Sequence, residues 1–256
     1  MCGVFGIYTK EERDISKIIY YGLYALQHRG QESAGIAVNN NGYIDYHKDL
    51  GLAHEIFDDK ILNRLRGNIG IGHIRQGSAE DTTPTNAEPL VVGYKKGALA
   101  LAYDGSLINF KDLREDMEDN GVIFQTSIDT EVIANLIARY HKDDIEQAII
   151  NGVRDLKGSY ALVVMTNDRL IGVRDPYGVK PLCIGKLGDD YILSSETCAL
   201  DTVGAEFVRD VEPGEMVVII DGQIKSIRTK SAREKRISLF EVIYFARPDS
   251  KLDGKS

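Results

Sequence analysis

The chain has 256 residues, of which 43% are hydrophobic and 27% charged, an ordinary composition for a globular protein of one large domain or two small ones. Its 31 basic and 39 acidic side chains give a formal charge of −8, which argues against a nucleic-acid partner. The longest apolar runs fall short of the roughly 18 residues that cross a bilayer, and charges at 10–14 interrupt any leader, so we expect a cytoplasmic protein without membrane contact.

The N-terminal half mixes strands and helices. Residues 2–8 are β-branched, aromatic and small, which predicts a strand. Apolar residues at helical spacing from Ile15 to Leu26 predict a helix that closes at 28–30. The stretch 39–42 has the Asn-Gly signature of a hairpin. Beyond it the patterns predict a weak helix over 53–65, strands at 69–74 and 98–103, and helices after Asn109, from about Ser127 and over about 144–156.

From Ser159 onward the pattern predicts strands alone, with turns at 167–168, 188–190, 213–214 and 221–222. Helices that cluster between two strand-rich regions do not fit the alternation of a parallel βαβ fold. Two antiparallel sheets stacked face to face, with helices outside, fit better. The sequence therefore predicts an α+β fold.

The three cysteines lack the spacing of a metal site and suit a reducing compartment. Cys183 and Cys198 stand among apolar or small residues, and we expect them to be packing residues. Cys2 differs, because removal of Met1 would leave a thiol and a free α-amine on one residue. Their ordinary pKa values of about 8.5 and about 7.7–8.0 make proton transfer between them easy, so one residue could be nucleophile and general base. By itself, Cys2 is better interpreted as a small buried residue that begins an edge strand, and the remaining motifs change that balance.

Eight segments extend the argument beyond Cys2. Together they resemble the glutaminase domain of amidophosphoribosyltransferases over nearly the whole chain. The start Cys-Gly and the Gly-His-x-Arg segment are shared by class II amidotransferases in general, whereas His-Arg-Gly-Gln-Glu-Ser and Tyr-Phe-Ala-Arg-Pro-Asp-Ser are more specific. The matching segments are 2–7, 26–36, 72–75, 126–131, 174–178, 195–199, 211–215 and 243–250.

The resemblance implies a four-layer αββα sandwich of two antiparallel sheets, the N-terminal-nucleophile hydrolase fold. It implies that Cys2 attacks the side-chain amide of glutamine, that Arg75 holds the glutamine carboxylate as a bidentate fork, and that Asp129 takes the ammonium group. It also implies that Arg29 helps to hold a loop that closes over the substrate. The simpler alternatives are a surface ion pair for Arg75 and a helix N-terminal charge for Asp129.

The oxyanion site departs from the family pattern. The family supplies an asparagine amide and the next glycine N–H, but here the pair reads Asp104 and Gly105. An ionised carboxylate donates no hydrogen bond, so Asp104 could replace the asparagine only if its pKa were raised far above about 3.9. After Arg75, Ser78 keeps a hydroxyl that could contact substrate. Lys180 stands where arginine is common, and we expect that change to leave the chemistry untouched.

Residues 1–236 are expected to form the class II glutamine amidotransferase domain, with Met1 removed, and 237–256 to begin the connection to a phosphoribosyltransferase domain that this chain lacks. Ammonia from glutamine would there convert phosphoribosyl pyrophosphate to 5-phosphoribosylamine, the first step of de novo purine biosynthesis. We expect a homo-oligomer, no metal or cofactor in this chain, and Mg²⁺ only with the missing domain. Ser238 replaces the first cluster cysteine of one family branch, so no iron–sulphur cluster is predicted.

Two alternatives stay open. The first is a regulatory domain that binds glutamine but is catalytically impaired, and Asp104 is its best support. The second is an N-terminal-nucleophile hydrolase of another amide, which suits the pair of Arg75 and Asp129 less well because that pair matches an α-amino acid.

Overall fold

The computed structural model describes residues 2–77, 82–230, 236 and 238–254. Its strands are β1 (Gly3–Arg13), β2 (Ser33–Asn40), β3 (Tyr43–Leu50), β4 (Gly67–Arg75), β5 (Leu90–Tyr94), β6 (Gly97–Leu107), β7 (Gly158–Met165), β8 (Arg169–Arg174), β9 (Cys183–Leu187), β10 (Asp190–Ser194), β11 (Glu206–Asp210), β12 (Glu215–Ile220) and β13 (Gln223–Arg228). Its α-helices are α1 (Ile15–Ala25), α2 (Ala53–Ile56), α3 (Asp59–Arg64), α4 (Phe110–Asp119), α5 (Asp129–Tyr140), α6 (Ile145–Asp155) and α7 (Thr197–Val203).

In the described part of the chain the strands form two sheets. One has seven strands in the order β11-β9-β10-β1-β4-β2-β3, and the other has six in the order β13-β12-β8-β7-β6-β5. Neighbouring strands within each sheet pair antiparallel. The α+β prediction of two antiparallel sheets is confirmed.

Three apolar cores separate the four layers. The central core joins alternate residues of both sheets, such as Val4 and Ile71 on one side and Ala102 and Val163 on the other. A second core lies between the seven-stranded sheet and the helices α1, α2 and α7. The third lies between the six-stranded sheet and the helices α5 and α6. This is the αββα sandwich that the resemblance implied, and each sheet is buried on both faces.

Local signals explain most of the elements. The predicted hairpin is confirmed between β2 and β3, where Asn41 and Gly42 take positive φ angles of 51° and 93° as a tight turn requires. Helix α5 begins directly after Ile128, and the Glu131 carboxylate accepts the backbone N–H groups of Gln125 and Thr126, which fixes the turn before it. The expected helices after Asn109 and over about 144–156 are α4 and α6.

The structure differs from the sequence predictions in three places. The weak helix over 53–65 is two short helices, α2 and α3. The strand expected at 2–8 continues to Arg13. The prediction of strands alone after Ser159 is wrong, because α7 lies between β10 and β11. That helix has only seven residues and no side-chain cap, so its sequence carries little helical signal.

The N-terminus enters the middle of the seven-stranded sheet. β1 pairs with β4 on one side and with β10 on the other, so the interpretation of Cys2 as the start of an edge strand is wrong. Gly3 lies opposite Ile74, which places Cys2 at the end of β4 that carries Arg75. No helix in the described part of the chain is both long and apolar enough to cross a membrane.

Candidate active site

Cys2 is held at its nitrogen, its carbonyl and its sulphur. Its backbone nitrogen donates to Asp104 Oδ1 at 3.0 Å, and its carbonyl accepts from Arg29 Nε at 2.9 Å. The backbone of Gln76 hydrogen-bonds the thiol. Burial and the neighbouring Asp104 charge raise the pKa of the Cys2 thiol, against smaller opposing effects that include Lys180. The thiol therefore stays protonated until a base removes its proton.

Arg29 lies on the 3-10 turn Gln27–Arg29 that follows α1, and its side chain is completely buried. Nη1 donates to Glu196 Oε1 at 2.6 Å, and Nη2 lies 3.1 Å from Asp104 Oδ2 and 2.5 Å from Glu241 Oε1. These contacts occupy the guanidinium with protein groups. Arg29 thus positions Cys2 and Asp104, and its expected role in holding a loop over the substrate stays a prediction.

Asp104 is an ionised carboxylate, which corrects the possibility of a protonated oxyanion donor. Burial alone would raise the pKa of Asp104, but Lys180 and Arg29 outweigh burial and lower the pKa to about 2. Lys180 Nζ lies 3.0 Å from Asp104 Oδ1, the oxygen that also accepts from the Cys2 nitrogen. Asp104 therefore accepts hydrogen bonds at the nucleophile and offers none to an oxyanion.

Lys180 thus lies against Asp104 in the site, and the expectation that a lysine in place of arginine leaves the chemistry untouched stays a prediction. Lys180 lies in the loop after β8. Two neighbouring buried residues, Arg174 and Asp175, hold the backbone of that loop. Arg174 donates to the carbonyls of Gly178, Lys180 and Val211, and the Asp175 carboxylate accepts from the backbone N–H groups of 160, 177, 179 and 180. The segment 174–178 of the family resemblance is thus the frame that holds Lys180 in place.

Gly105, the second expected oxyanion residue, follows Asp104 on β6. A side chain could not be tolerated here, because a Cβ would lie 2.4 Å from the Ser159 carbonyl oxygen and 2.6 Å from the Tyr103 hydroxyl. Close packing therefore requires a glycine at this position. Its expected role as an oxyanion donor stays a prediction.

Arg75 ends β4, one residue before the Gln76 backbone that touches the Cys2 thiol. Its Nη1 lies 3.6 Å from Glu32 Oε2, and the same glutamate accepts the Gly77 N–H at 2.7 Å. Glu32 therefore tethers the segment 75–77 from the turn before β2. The nearby Ser78, expected to contact substrate, lies outside the described residues.

Asp129 is the first residue of α5, at the far end of the same β6 segment. Its Oδ2 accepts the Leu107 N–H at 2.9 Å and lies 3.4 Å from the Tyr103 hydroxyl. Two hydrogen bonds therefore anchor this part of β6: Asp104 accepts from the Cys2 nitrogen, and Leu107 donates to Asp129. The structure brings Asp129 to the strand that carries Asp104 and Gly105, and its expected role in taking the glutamine ammonium group stays a prediction.

Glu88 is a buried carboxyl group that the sequence analysis did not single out. Its Oε1 accepts from the Thr130 hydroxyl at 2.5 Å, and its Oε2 lies 3.3 Å from His73 Nε2. Burial raises the pKa of Glu88 to about 7, and its charge interacts with both Cys2 and Arg75. The site therefore holds a carboxyl group that titrates near neutrality.

Sequence reasoning also missed Glu196 and Glu241, the carboxylates that surround Arg29. The available signal was Arg29 itself, since an arginine next to a buried strand needs anionic partners. Cys183 and Cys198 are buried packing residues, as expected. Among the described residues, no group of three or more His, Cys, Asp or Glu side chains is arranged to hold a metal ion.

Comparison with known proteins agrees with this geometry. Residues 73–202 match the family model of the glutamine amidotransferase domain. The chain is 45% identical over 273 residues to the amidophosphoribosyltransferase of Methanocaldococcus jannaschii, covering all of this chain and 58% of that protein. It is also 45% identical over 254 residues to the amidophosphoribosyltransferase of Bacillus subtilis, covering 99% of this chain and 53% of that protein.

A solved structure of the Bacillus subtilis glutamine phosphoribosylpyrophosphate amidotransferase, complexed with ADP and GMP, superposes on this chain with a TM-score of 0.93 and 45% identity. The match covers 99% of this chain and 55% of that one. The chain thus spans a little over half the length of these relatives.

Proposed function

The chain belongs to the glutamine amidotransferase domain family, and on that premise we propose that it hydrolyses glutamine with Cys2 as the nucleophile. The observation that carries the proposal is the convergence on Cys2: its nitrogen, carbonyl and sulphur are each fixed by a residue from a different segment, Asp104, Arg29 and Gln76. A structural cysteine would need no such control of its nitrogen.

The reaction follows from the groups in place. With Met1 removed, the Cys2 amine takes the thiol proton, and the sulphur attacks the side-chain carbonyl carbon of glutamine. The tetrahedral intermediate expels the amide nitrogen, which leaves as ammonia with the proton from the amine. Water then attacks the thioester and the C–S bond breaks. Glutamate is released, and a proton from the water restores the Cys2 thiol. The Gly105 N–H is the proposed oxyanion donor, without help from Asp104.

Recognition of glutamine is assigned to Arg75 and Asp129, with Ser78 as a further proposed contact. Arg75 offers a planar fork for the α-carboxylate, and Asp129 offers a carboxylate for the α-ammonium. The 3.6 Å contact between Arg75 and Glu32 is loose enough for a substrate carboxylate to compete with Glu32.

We further propose that the ammonia passes to a phosphoribosyltransferase domain or partner chain, where it yields 5-phosphoribosylamine for purine biosynthesis. Support comes from the relatives' names and from a continuous apolar surface on the turn Glu241–Phe245 and the residues before it. Four large apolar side chains there are 65–72% exposed: Leu239, Phe240, Ile243 and Tyr244. Single exposed apolar residues are common on protein surfaces, whereas four so close together are typical of an interaction site. Mg²⁺ belongs with that second domain, neither a metal nor an iron–sulphur cluster is proposed for this chain, and homo-oligomerisation stays a proposal.

The direct test measures glutamate release by purified chain whose loss of Met1 is verified by intact mass. We expect turnover that Cys2→Ala abolishes and that Cys183→Ala, a buried packing cysteine, retains. A glutamine-like electrophile should add one mass equivalent to the unsubstituted chain and none to Cys2→Ala. Undiminished glutamate release by Cys2→Ala, or glutamate release by protein that keeps Met1, would falsify the mechanism.

One observation favours a second candidate, a domain that binds glutamine without hydrolysing it. The ionised Asp104 places a negative charge where the intermediate develops its own. Under this candidate, calorimetry detects glutamine binding while glutamate release is absent at every pH, and Asp104→Asn gains turnover. Glutamate release by the unsubstituted chain excludes it.

A further inference from the structure

The carboxylates around Cys2 outnumber the cations. Among the described residues, Asp104, Glu196 and Glu241 form ion pairs with Arg29, and Lys180 lies 3.0 Å from Asp104 and 3.9 Å from Glu241. These are three carboxylates against two permanent cations, and His28, whose Nε2 lies 2.8 Å from Glu196 Oε1, is a further basic side chain of the cluster. The three carboxylates and the two permanent cations are less than one tenth exposed, so water cannot balance the remaining charge.

The Cys2 nitrogen is one position in this cluster where a further positive charge would meet a carboxylate. Asp104 Oδ1 accepts from the Cys2 nitrogen at 3.0 Å, and this nitrogen becomes the α-amine once Met1 is removed. A protonated amine there would give three cations for three carboxylates. Glu241 is the competing site for the proton, because burial raises its pKa, but its oxygens contact Arg29 and Lys180 and no contact with Cys2 is described.

We propose that Asp104 is a positioning residue that holds the α-amine of processed Cys2 as an ammonium group, so that glutamine hydrolysis by this chain requires alkaline pH. The proposal rests on the proposed function, and it joins Asp104 and Lys180, two of the departures from the family pattern, in one arrangement. Lys180 keeps the Asp104 carboxylate ionised and shares its Oδ1 with the Cys2 nitrogen.

The consequence for the reaction is a matter of one proton. An ammonium group has no lone pair and cannot accept the thiol proton, so attack by sulphur waits until the amine has lost its own proton to solvent. Each pH unit by which the amine pKa exceeds the working pH reduces the free amine about tenfold. Glu88, which also titrates near neutrality, interacts electrostatically with Cys2 and with Arg75. Glu88 and Arg75 are left unchanged by the test below.

The test reads the amine directly. Chain labelled with [¹⁵N]cysteine carries one amine nitrogen, at Cys2, and two peptide nitrogens, at Cys183 and Cys198, whose NMR shifts lie far apart. Titration from pH 6 to 10.5 gives the amine midpoint without any need for turnover. A carboxylate within about 4–6 Å raises such a midpoint by about one to three units above the ordinary 7.7–8.0.

Four proteins are compared: the unsubstituted chain, Asp104→Asn, Lys180→Met, and Asp116→Asn, which is the same chemical change on an exposed helix face. The expected midpoint falls by at least one unit in Asp104→Asn, rises in Lys180→Met and is unchanged in Asp116→Asn. The pH midpoint of glutamate release should move in the same directions. Lys180→Met carries the test should Asp104→Asn fail to fold.

Equal amine midpoints in the unsubstituted chain and Asp104→Asn overturn the proposal, as does a midpoint in the unsubstituted chain at or below the ordinary value. Shifted midpoints without glutamate release in any variant sustain the pairing and defeat the proposed function. Glutamate release with unshifted midpoints does the reverse, so the two failures are distinguishable.

Discussion

Two buried glutamates beside the nucleophile have opposite electrostatic fates. Glu196 is completely buried and accepts from His28, Arg29, the Ser250 hydroxyl and the Arg247 N–H. Burial acts to raise its pKa, but these partners lower it to about 2. Glu88 is 3% exposed, and its neighbours are the Thr130 hydroxyl and the His73 imidazole. Burial raises the pKa of Glu88 to about 7.

The difference teaches that burial does not decide the charge of a carboxyl group; the number of donors and cations does. Glu196 meets a guanidinium, so it stays ionised and locks the turn after α1 to the C-terminal segment. Glu88 lacks such a cation at hydrogen-bond distance among the described residues, so it gives up its charge near neutrality. One region is a rigid charge cluster, and the other is a proton-binding site.

Arg29→Met would give Glu196 the surroundings of Glu88, and we expect the largest effect from it. Asp104 and Glu241 would keep only Lys180, and Glu196 would keep only His28. Breaking a buried pair in this way costs about 3–5 kcal/mol of unfolding free energy. Urea unfolding at pH 7 measures the loss, which should shrink at pH 4 as the carboxylates take up protons. Arg139→Met removes an exposed ion pair and should cost less than about 1 kcal/mol. Equal losses for both variants would contradict the comparison.

Glu196→Gln removes the ionised member of the pair. Because the folded pKa of Glu196 is about 2 against an ordinary 4.5, its charge stabilises the fold fully above about pH 4.5 and loses that effect as pH falls toward 2. At about 1.4 kcal/mol per unit, the acid-induced loss is up to about 3 kcal/mol. The variant should therefore show a flatter fall of unfolding free energy between pH 4.5 and 2. Glu118→Gln, on an exposed helix face, is the matched control and should follow the unsubstituted chain.

Glu88→Gln tests the opposite sign. The folded pKa of Glu88 is about 7 against an ordinary 4.5, so folding binds a proton and stability falls as pH rises from about 4.5 through about 7. The glutamine keeps an acceptor for Thr130 without the charge. Its melting temperature should match that of the unsubstituted chain at pH 4.5 and exceed it at pH 8. The gain at pH 8 corresponds to about 1–3 kcal/mol of unfolding free energy. A variant that is less stable at pH 8 would sink this assignment.

Thr130→Val gives the smallest effect. It removes the hydroxyl that donates to Glu88 Oε1 at 2.5 Å and keeps the shape of the side chain. A hydrogen bond to a charged group stabilises by about 1.5–3 kcal/mol, and Glu88, with a pKa of about 7, is mostly charged at pH 8, so about 1.5 kcal/mol should be lost there and less at pH 5. Thermal melts at both pH values measure it. A larger loss at pH 5 would mean that the hydroxyl serves the neutral acid instead.

Much of the fold was predictable because its signals are local. The hairpin at 39–42 and the helix α5 follow from an Asn-Gly turn and an apolar stripe, which a single segment contains. Helix α7 was missed because it is short and uncapped, and only packing against α1 and β10 makes it helical. The middle position of β1 was missed because strand order depends on pairing between distant segments.

The candidate site divides in the same way. Cys2, Arg75, Asp129 and Gly105 were named from motifs whose residues are close in sequence. The contact between Asp104 and Lys180 joins β6 to the loop after β8, and the pair formed by Arg29 and Glu196 joins residues 167 positions apart. Nothing in either segment alone specifies such a contact.

The sequence by itself determined the elements, the αββα layering through its resemblance, and the residue types at the nucleophile, since these depend on local pattern and motif. Only the tertiary structure decided which buried charges meet, and therefore that Asp104 is ionised, that Glu88 titrates near neutrality, and that Lys180 reaches the site. The physical reason is that a pKa depends on the distances among groups from separate segments, and folding alone sets those distances.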